Sequence, residues 1–583
     1  MSVRPGVVLL LVVVGVLAII ASRNRPNVRE GWTLVTALGV AGVTASMLPG
    51  VLDGYTYETS LGTFVDGFGA DGIEFALRVD ELGMIFALVS SSLYLVTAIY
   101  SIGYMRGNDE HDQTRFFAML CLSVGAALGV AFAGNLLVLL IFYEVLTLAT
   151  YPLVAHEETE EARVSGYKYL AYALTGGLAI FAGMVATVWV AGDVSFTRGG
   201  IEGLSTLADD DPWTARAIFA LLAGGFFVKA GVMPTHAWLP SAMVAPTPVS
   251  GLLHAVAVVK AGAFGVARTV FDVFGPETVS QLGLGVVVVV FASSTILIAS
   301  LFALRQDNLK ARLAYSTIAQ LSYIVLGLGI LAPAALMGAL LHIPAHAFAK
   351  LTLFLCAGAL YVQLDVKYIS QMPGVARRMP VTMTAFAIAA FSMAGLPLFA
   401  GFVSKWHLLI GSADAGYLPV TFVLITSGAL NVAYFWPIVY TAFFESPGEH
   451  GGKPLLGYPF GGKFVSSTPG KKAKKHKSDE TALTDGGETP DKHEDEVQDK
   501  QEDEAPDKHE AHDEDGGSTT VTDKSNAEWD RPESRFGETT LLMLVPIMVT
   551  GTLVLLFGIG ADYSGFFELI ETIVEEATVG DER

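Results

Sequence analysis

The chain has 583 residues, 52% of them hydrophobic and only 16% charged, with a mean hydropathy of +0.51. That balance excludes a soluble globular protein. The formal net charge of −21, much of it in loops and one hydrophilic insert, argues against nucleic acid as a partner. What remains is a multi-pass protein of the lipid bilayer, because many apolar runs exceed the ~20 residues that span one.

The first apolar run, 6–22, is followed by Arg23, Asn24 and Arg25 rather than by a small-residue cleavage site, and reads as a retained span. Further runs fall near 31–50, 82–105, 116–134, 136–155, 167–191, 215–234, 244–271, 281–304, 313–331, 334–362, 381–410, 418–444 and 539–561. The expected fold is therefore all-α, with about fourteen transmembrane helices. Under that count Arg23, Arg25 and Arg29 share a side with Arg305, Lys310 and Arg312, and with Lys367, Arg377 and Arg378. The loops at 51–81 and 192–214, on the other side, are acidic. Positive charge marks the cytoplasmic side, so both termini are expected outside. Residues 446–537 are densely charged and poor in apolar residues, and read as a disordered cytoplasmic insert. Cys121 and Cys356 lie far apart in apolar runs. They suggest neither an iron–sulfur centre nor a disulfide, and no metal ligands or cofactors are assigned.

The informative residues are the charges inside the spans. Insertion of a lysine at mid-membrane costs roughly 2.5–3.5 kcal/mol, so such residues face a bundle interior or a water path and usually have a partner. Glu144 stands alone in LLVLLIFYEVLTLAT. Lys229, His236, His254 and Lys260 follow within 224–262, where Pro234 and Pro240 interrupt the helix, as in broken transport helices. His254 and Lys260 are six apart and do not share a helix face. His342, His346 and Lys350 recur every four residues, a stripe that drifts ~40° per step. Lys405 sits in GFVSK, which echoes GFFVK at 225–229, each with a proline nearby. The two echoes lie five spans apart, and an odd offset defines an inverted repeat. Lysine and histidine can both release a proton near neutrality, which arginine hardly does. A carboxylate ~8 Å from a lysine acts on it with about 2 kcal/mol at an effective dielectric of ~20. A mobile carboxylate beside a buried lysine is thus a proton switch. The residues alone point to a proton-conducting membrane protein.

The segments PTHAWLPSAMVAPTPVSGLLHAVAVVKAG, HAFAKLTLFLCAG and GLPLFAGFVSKW, with Glu144, resemble the antiporter-like proton-translocating subunits. These occur in respiratory complex I and in Mrp-type multisubunit cation/proton antiporters. GFVSKW and QMPGVARRMP are most similar to the D-type component of the Mrp antiporters. The resemblance implies fourteen helices with two inverted five-helix repeats. It divides the chain into 1–115 (helices 1–3), 116–271 (first repeat), 281–444 (second repeat), 446–537 (the insert) and 539–561 (last helix). It implies that Glu144 pairs with Lys229, that His254 and Lys260 link half-channels, that His346 and Lys350 continue the relay, and that Lys405 faces the exit. His236 and His342 are further relay candidates. The implied function is a proton-conducting subunit of a sodium/proton antiporter, a secondary transporter rather than an enzyme, in the plasma membrane of a prokaryote. Its partners are the other membrane subunits of the complex, the lipid, protons and sodium. The alternative is a proton-pumping membrane subunit of a complex I-like oxidoreductase or membrane hydrogenase. No flavin, quinone or iron–sulfur motif is identified in the chain, so redox chemistry would lie in partners.

Overall fold

The computed structural model describes residues 2–65, 72–446 and 537–578, all within one compact unit. Except for its end residues, the 446–537 insert lies outside the described residues. Long apolar helices dominate: α1 Arg4–Ala21, α2 Pro26–Leu52, α3 Glu81–Gly107, α4 Gln113–Ala131, α5 Leu136–Val154, α6 Glu160–Ala191 and α7 Pro212–Ala230. There follow α8 Thr247–Val273, α9 Leu284–Leu304, α10 Leu309–Ile330 and α11 Pro333–Leu364. The expected span 381–410 is two helices, α12 Pro380–Ala394 and α13 Ala400–Asp414. Then come α14 Leu418–Phe444, α15 Leu541–Tyr563 and the short α16 Gly565–Thr578. Among the described residues thirteen helices are long and apolar enough to cross a membrane, and the broken α12–α13 stands where a further span, 381–410, was expected.

The helix α11 is central. It packs against α3, α8, α10, α12, α13, α15 and α16. Nearly all of its apolar window is buried, as is all of that of α8. A helix apolar all round belongs inside a bundle. Outer helices instead keep one bare apolar face, such as Leu10 and Leu17 of α1, or Val286, Val290 and Leu301 of α9. Lipid is the natural cover for these faces.

Two helices break beside a lysine. Gly231 ends α7 with φ +75° and Gly395 ends α12 with φ +86°, a left-handed turn that glycine adopts without a Cβ clash. After the first break a single helical turn, Trp238–Ser241, precedes α8. The GFFVK/GFVSK echo does not place its lysines alike. Lys229 lies in the last turn before its break, whereas Lys405 lies in the helix after the other.

Several features were not expected from the sequence. The loop 51–81 holds an antiparallel hairpin, β1 Tyr57–Val65 and β2 Ile73–Val79, with Tyr57 opposite Val79 and Ser60 opposite Ala76. Immediately after it, Asp80 caps α3 by accepting from the Gly83 backbone N–H at 2.9 Å. Asp80 also takes both arms of buried Arg268 at 2.7 Å, and Asp272 accepts from the same guanidinium at 2.7 Å. At the other end of the chain α16 buries Leu569, Ile570, Ile573 and Val574 against α3 and α11. Glu538, fully buried, caps α12 by accepting from the Thr382 and Val381 N–H groups at 2.7 and 3.0 Å. Finally, two of the basic residues used to orient the chain are also buried clamps: Arg29 donates to Gln113 and Thr114, and Arg312 to the Tyr434 carbonyl at 2.9 Å.

Candidate functional site

Among the described residues, the site residues expected from the sequence fall mainly into two groups inside the bundle. In the first, α7 brings Lys229 against α5. The Lys229 Nζ donates to the Tyr143 carbonyl at 2.5 Å and lies 3.3 Å from the Tyr143 ring centroid, a cation–π contact away from water. Lys229 is fully buried. The implied Glu144–Lys229 pair is not a direct contact: no hydrogen bond or ion pair joins the two among the described residues, both carboxylate oxygens are buried, and the neighbouring group is the Thr147 hydroxyl on the same helix. The two charges still act on each other across the gap.

Small residues set that geometry. Gly225 and Gly176 bring α7 and α6 into backbone contact, and a Cβ on Gly177 would overlap Glu144 Oε1. Gly177→Ala is therefore expected to push the carboxylate aside and lower ion exchange by up to about a hundredfold, the scale of a reacting group misplaced by ~1 Å. Gly224→Ala, with no atom within 4 Å of its added methyl, is expected to leave exchange unchanged. Transport by both variants in membrane vesicles checks this; equal activity sinks the positional argument.

The second group joins α8, α10, α11 and α13. Lys260 Nζ and His346 Nδ1 are 2.8 Å apart. His342 Nδ1 lies 2.8 Å from Ser404 Oγ, one residue before Lys405, and the His342 and His346 rings are 6.0 Å apart. Lys350 Nζ donates to Ser316 Oγ at 2.5 Å and to the Leu313 carbonyl at 3.2 Å. Lys405 Nζ donates to the Met393 carbonyl at 2.5 Å and lies 4.8 Å from the Tyr323 ring centroid. That carbonyl, freed by the break after α12, also accepts from Asn431 at 3.3 Å. Lys260, Lys350, His342 and His346 are all at most 1% exposed.

Of the residues expected to act, the structure brings Lys260, His342, His346, Lys350 and Lys405 into one cluster, with Glu144 and Lys229 in a separate one. No side-chain hydrogen bond joins the two among the described residues. His254 lies in a π-helical turn, 252–256, of the kind found at functional sites. Its nitrogens have no hydrogen-bond partner among the described residues, Lys260 included, and its ring packs 4.9 Å from that of Phe354. His236, half-buried beside the helix break, joins neither cluster. Reading the sequence missed Ser316, Tyr323, Ser404, Asn431 and the Tyr143 and Met393 carbonyls. It also missed Lys310, read as a loop charge, whose Nζ turns inward to the Ala245 carbonyl at 2.6 Å.

Residues 133–430 match the family described as NADH:quinone oxidoreductase/Mrp antiporter, TM, and 68–117 match NADH-Ubiquinone oxidoreductase (complex I), chain 5 N-terminus. The chain is 32% identical to the N-type component of NADH-quinone oxidoreductase from Desulforudis audaxviator, over 66% of its own length and 76% of the relative's. It is 36% identical to the A-type component of the Na(+)/H(+) antiporter from Alkalihalophilus pseudofirmus over 57% of its length, and spans 42% of that relative. Its fold superposes on a chain of the Mrp complex from Dietzia sp. DQ12-45-1b with a TM-score of 0.73 and 20% identity, covering 99% of this chain and 97% of the other.

Proposed function

Because the chain belongs to the NADH:quinone oxidoreductase/Mrp antiporter membrane family, we propose that it is the proton-conducting subunit of a multisubunit sodium/proton antiporter. We take it as the D-type component on the GFVSKW and QMPGVARRMP segments, resident in a prokaryotic plasma membrane, with 116–271 and 281–444 as its two inverted halves. It performs no chemical conversion of its own.

The observation that carries this reading is the Lys260–His346 contact at 2.8 Å. An ammonium only donates and a neutral imidazole nitrogen either donates or accepts. A buried hydrogen bond between them holds a proton that either group can keep. On this reading the proton moves from Lys260 to His346, then through His342 and Ser404 to Lys405, with rotamer changes or water closing the 6.0 Å between the two rings. Lys350 sets the field along the path, since its charge acts on both histidines. His254 sits between the two halves, and His236 serves the entry side. Glu144 and Lys229 form the switch. With the carboxylate near, Lys229 keeps its proton; with the carboxylate withdrawn, the amine gives it up.

In everted vesicles carrying the full complex, sodium chloride is expected to collapse an imposed proton gradient with no electron donor present. Vesicles lacking this chain should not respond. A gradient that forms only during oxidation of an electron donor, and ignores sodium, would select the redox-driven reading instead. The match to the NADH-quinone oxidoreductase component is the observation that favours that second reading.

A further inference from the structure

Away from both clusters, two tight loops meet at one end of the bundle: 108–112 between α3 and α4, and 155–159 between α5 and α6. It is the end that carries Arg23 and Arg25, because Arg106 beside the first loop donates to Asn27 at 3.0 Å and pairs with Glu30. Asp109, Asp112 and Glu158 all adopt left-handed backbone, with φ of 52°, 46° and 55°, and the two sharp turns bring Glu110, His111, Asp112, His156 and Glu158 together. His156 is 0% exposed, and neither of its ring nitrogens has a hydrogen-bond partner among the described residues. A neutral imidazole with both nitrogens buried and unsatisfied forfeits a donor and an acceptor, at about 1–3 kcal/mol for each unmade bond. Such a group needs an explanation. Its ligand nitrogen lies within 4.8 Å of ligand atoms of His111 and Glu110.

We propose that Glu110, His111 and His156 form a binding site for a divalent transition ion of the zinc class, tying the α3–α4 loop to the α5–α6 loop. Two imidazoles and one carboxylate are a ligand set that suits zinc, with the fourth tetrahedral position left to water. Glu110 is already oriented: its Oε1 accepts from Asn108 Nδ2 at 2.6 Å, which leaves Oε2 for the ion. His156 is fixed by packing, its ring 5.5 Å from that of Phe116. His111 is the mobile ligand. It is exposed and stacks on His156 with 4.8 Å between ring centroids. Parallel stacked rings cannot both aim a lone pair at one ion, so His111 swings outward as the ion enters. That swing also opens the route to His156.

A second grouping, His111 with Asp112 and Glu158, is the weaker candidate. Arg115 already pairs with Glu158 at 2.6 Å and with Asp112 at 3.4 Å, and both carboxylates are exposed. The surroundings carry charges of both signs. Glu110, Asp112, Glu157 and Glu158 outnumber Arg115, Arg163 and Lys310, the cations that act on them, so the local balance tolerates an added cation. The site shares no residue with the proton path and does not depend on the transport reading.

Cobalt(II) in place of zinc tests the site on the purified full-length protein, because four-coordinate cobalt absorbs visible light far more strongly than six-coordinate cobalt. The expected result is one intense visible band that zinc displaces. His111→Ala removes an exposed side chain, and His156→Phe keeps a ring in the stack without its nitrogens. Both are expected to weaken the band's binding curve at least about tenfold while leaving the melting temperature close to that of the parent. His450, His476, His493, His509 and His512 stay in every variant as a common background. Absence of the band in the parent protein overturns the proposal. So does a band that survives both substitutions, which would assign the ion to other histidines.

Discussion

Lys229→Ala and Glu144→Ala are each expected to bring sodium-dependent proton exchange down to background, with the protein still present in the membrane. The argument starts from energetics. A fully buried lysine is retained against an insertion cost of roughly 2.5–3.5 kcal/mol, and among the described residues it has no salt bridge to offset that cost. Its Nζ leans on the Tyr143 carbonyl and ring, while Glu144, packed beside Gly177, makes no bond to it among the described residues. A purely structural ion pair would be closed. The open arrangement is what a switch requires, since the carboxylate must be able to approach and leave. Removing either member fixes the other in one protonation state and stops the cycle. Removing one charge of a buried pair also costs stability, up to about 3–5 kcal/mol, so membrane content and melting temperature must be measured alongside exchange. Lys229→Met, closer in bulk, separates the two effects. If it inserts normally and exchanges normally, the switch assignment is wrong.

Charges inside apolar runs are conspicuous because they are costly, so Glu144, Lys229, Lys260, Lys350 and Lys405 stand out in the sequence. Their partners do not. Ser404 and Ser316 are ordinary in a membrane helix, where a hydroxyl bonds back to its own helix as readily as to a neighbour. The Tyr143 and Met393 carbonyls leave no mark on the side-chain sequence at all. Met393 is available only because Gly395 ends α12 in the left-handed region, releasing carbonyls that a continuous helix would use. The stripe at 342, 346 and 350 is legible as a single face. Its ~40° drift per step then turns His342 to Ser404 on α13, His346 to Lys260 on α8 and Lys350 to Ser316 on α10. One stripe thus serves three neighbours, and only the packing shows which. The hairpin escapes notice because its strands are short and lie in a loop read for the acidic residues around them. The GFFVK echo misleads in detail, because its lysines end up on opposite sides of their breaks.

Lys229→Arg and Lys405→Arg are expected to fall close to the alanine variants, which would establish that these sites act by releasing protons and not merely by carrying charge. Arginine keeps the positive charge and much of the bulk but hardly deprotonates. If charge alone were needed, its guanidinium would meet the same acceptors, the Tyr143 carbonyl at one site and the Met393 carbonyl at the other, and most activity would remain. The two sites should also differ in how they respond to Glu144. That carboxylate acts on Lys229. No carboxylate acts on Lys405 among the described residues; its surroundings are the Met393 carbonyl and the Tyr323 ring. Removing Glu144 should therefore move the pH dependence of the step through Lys229 and leave the Lys405 step where it was. Exchange measured across about pH 6.5–9, between the reference values of histidine and lysine, resolves both steps, provided each arginine variant melts like the parent. Near parental exchange by either arginine variant, in correctly folded protein, rules out a deprotonating role at that site.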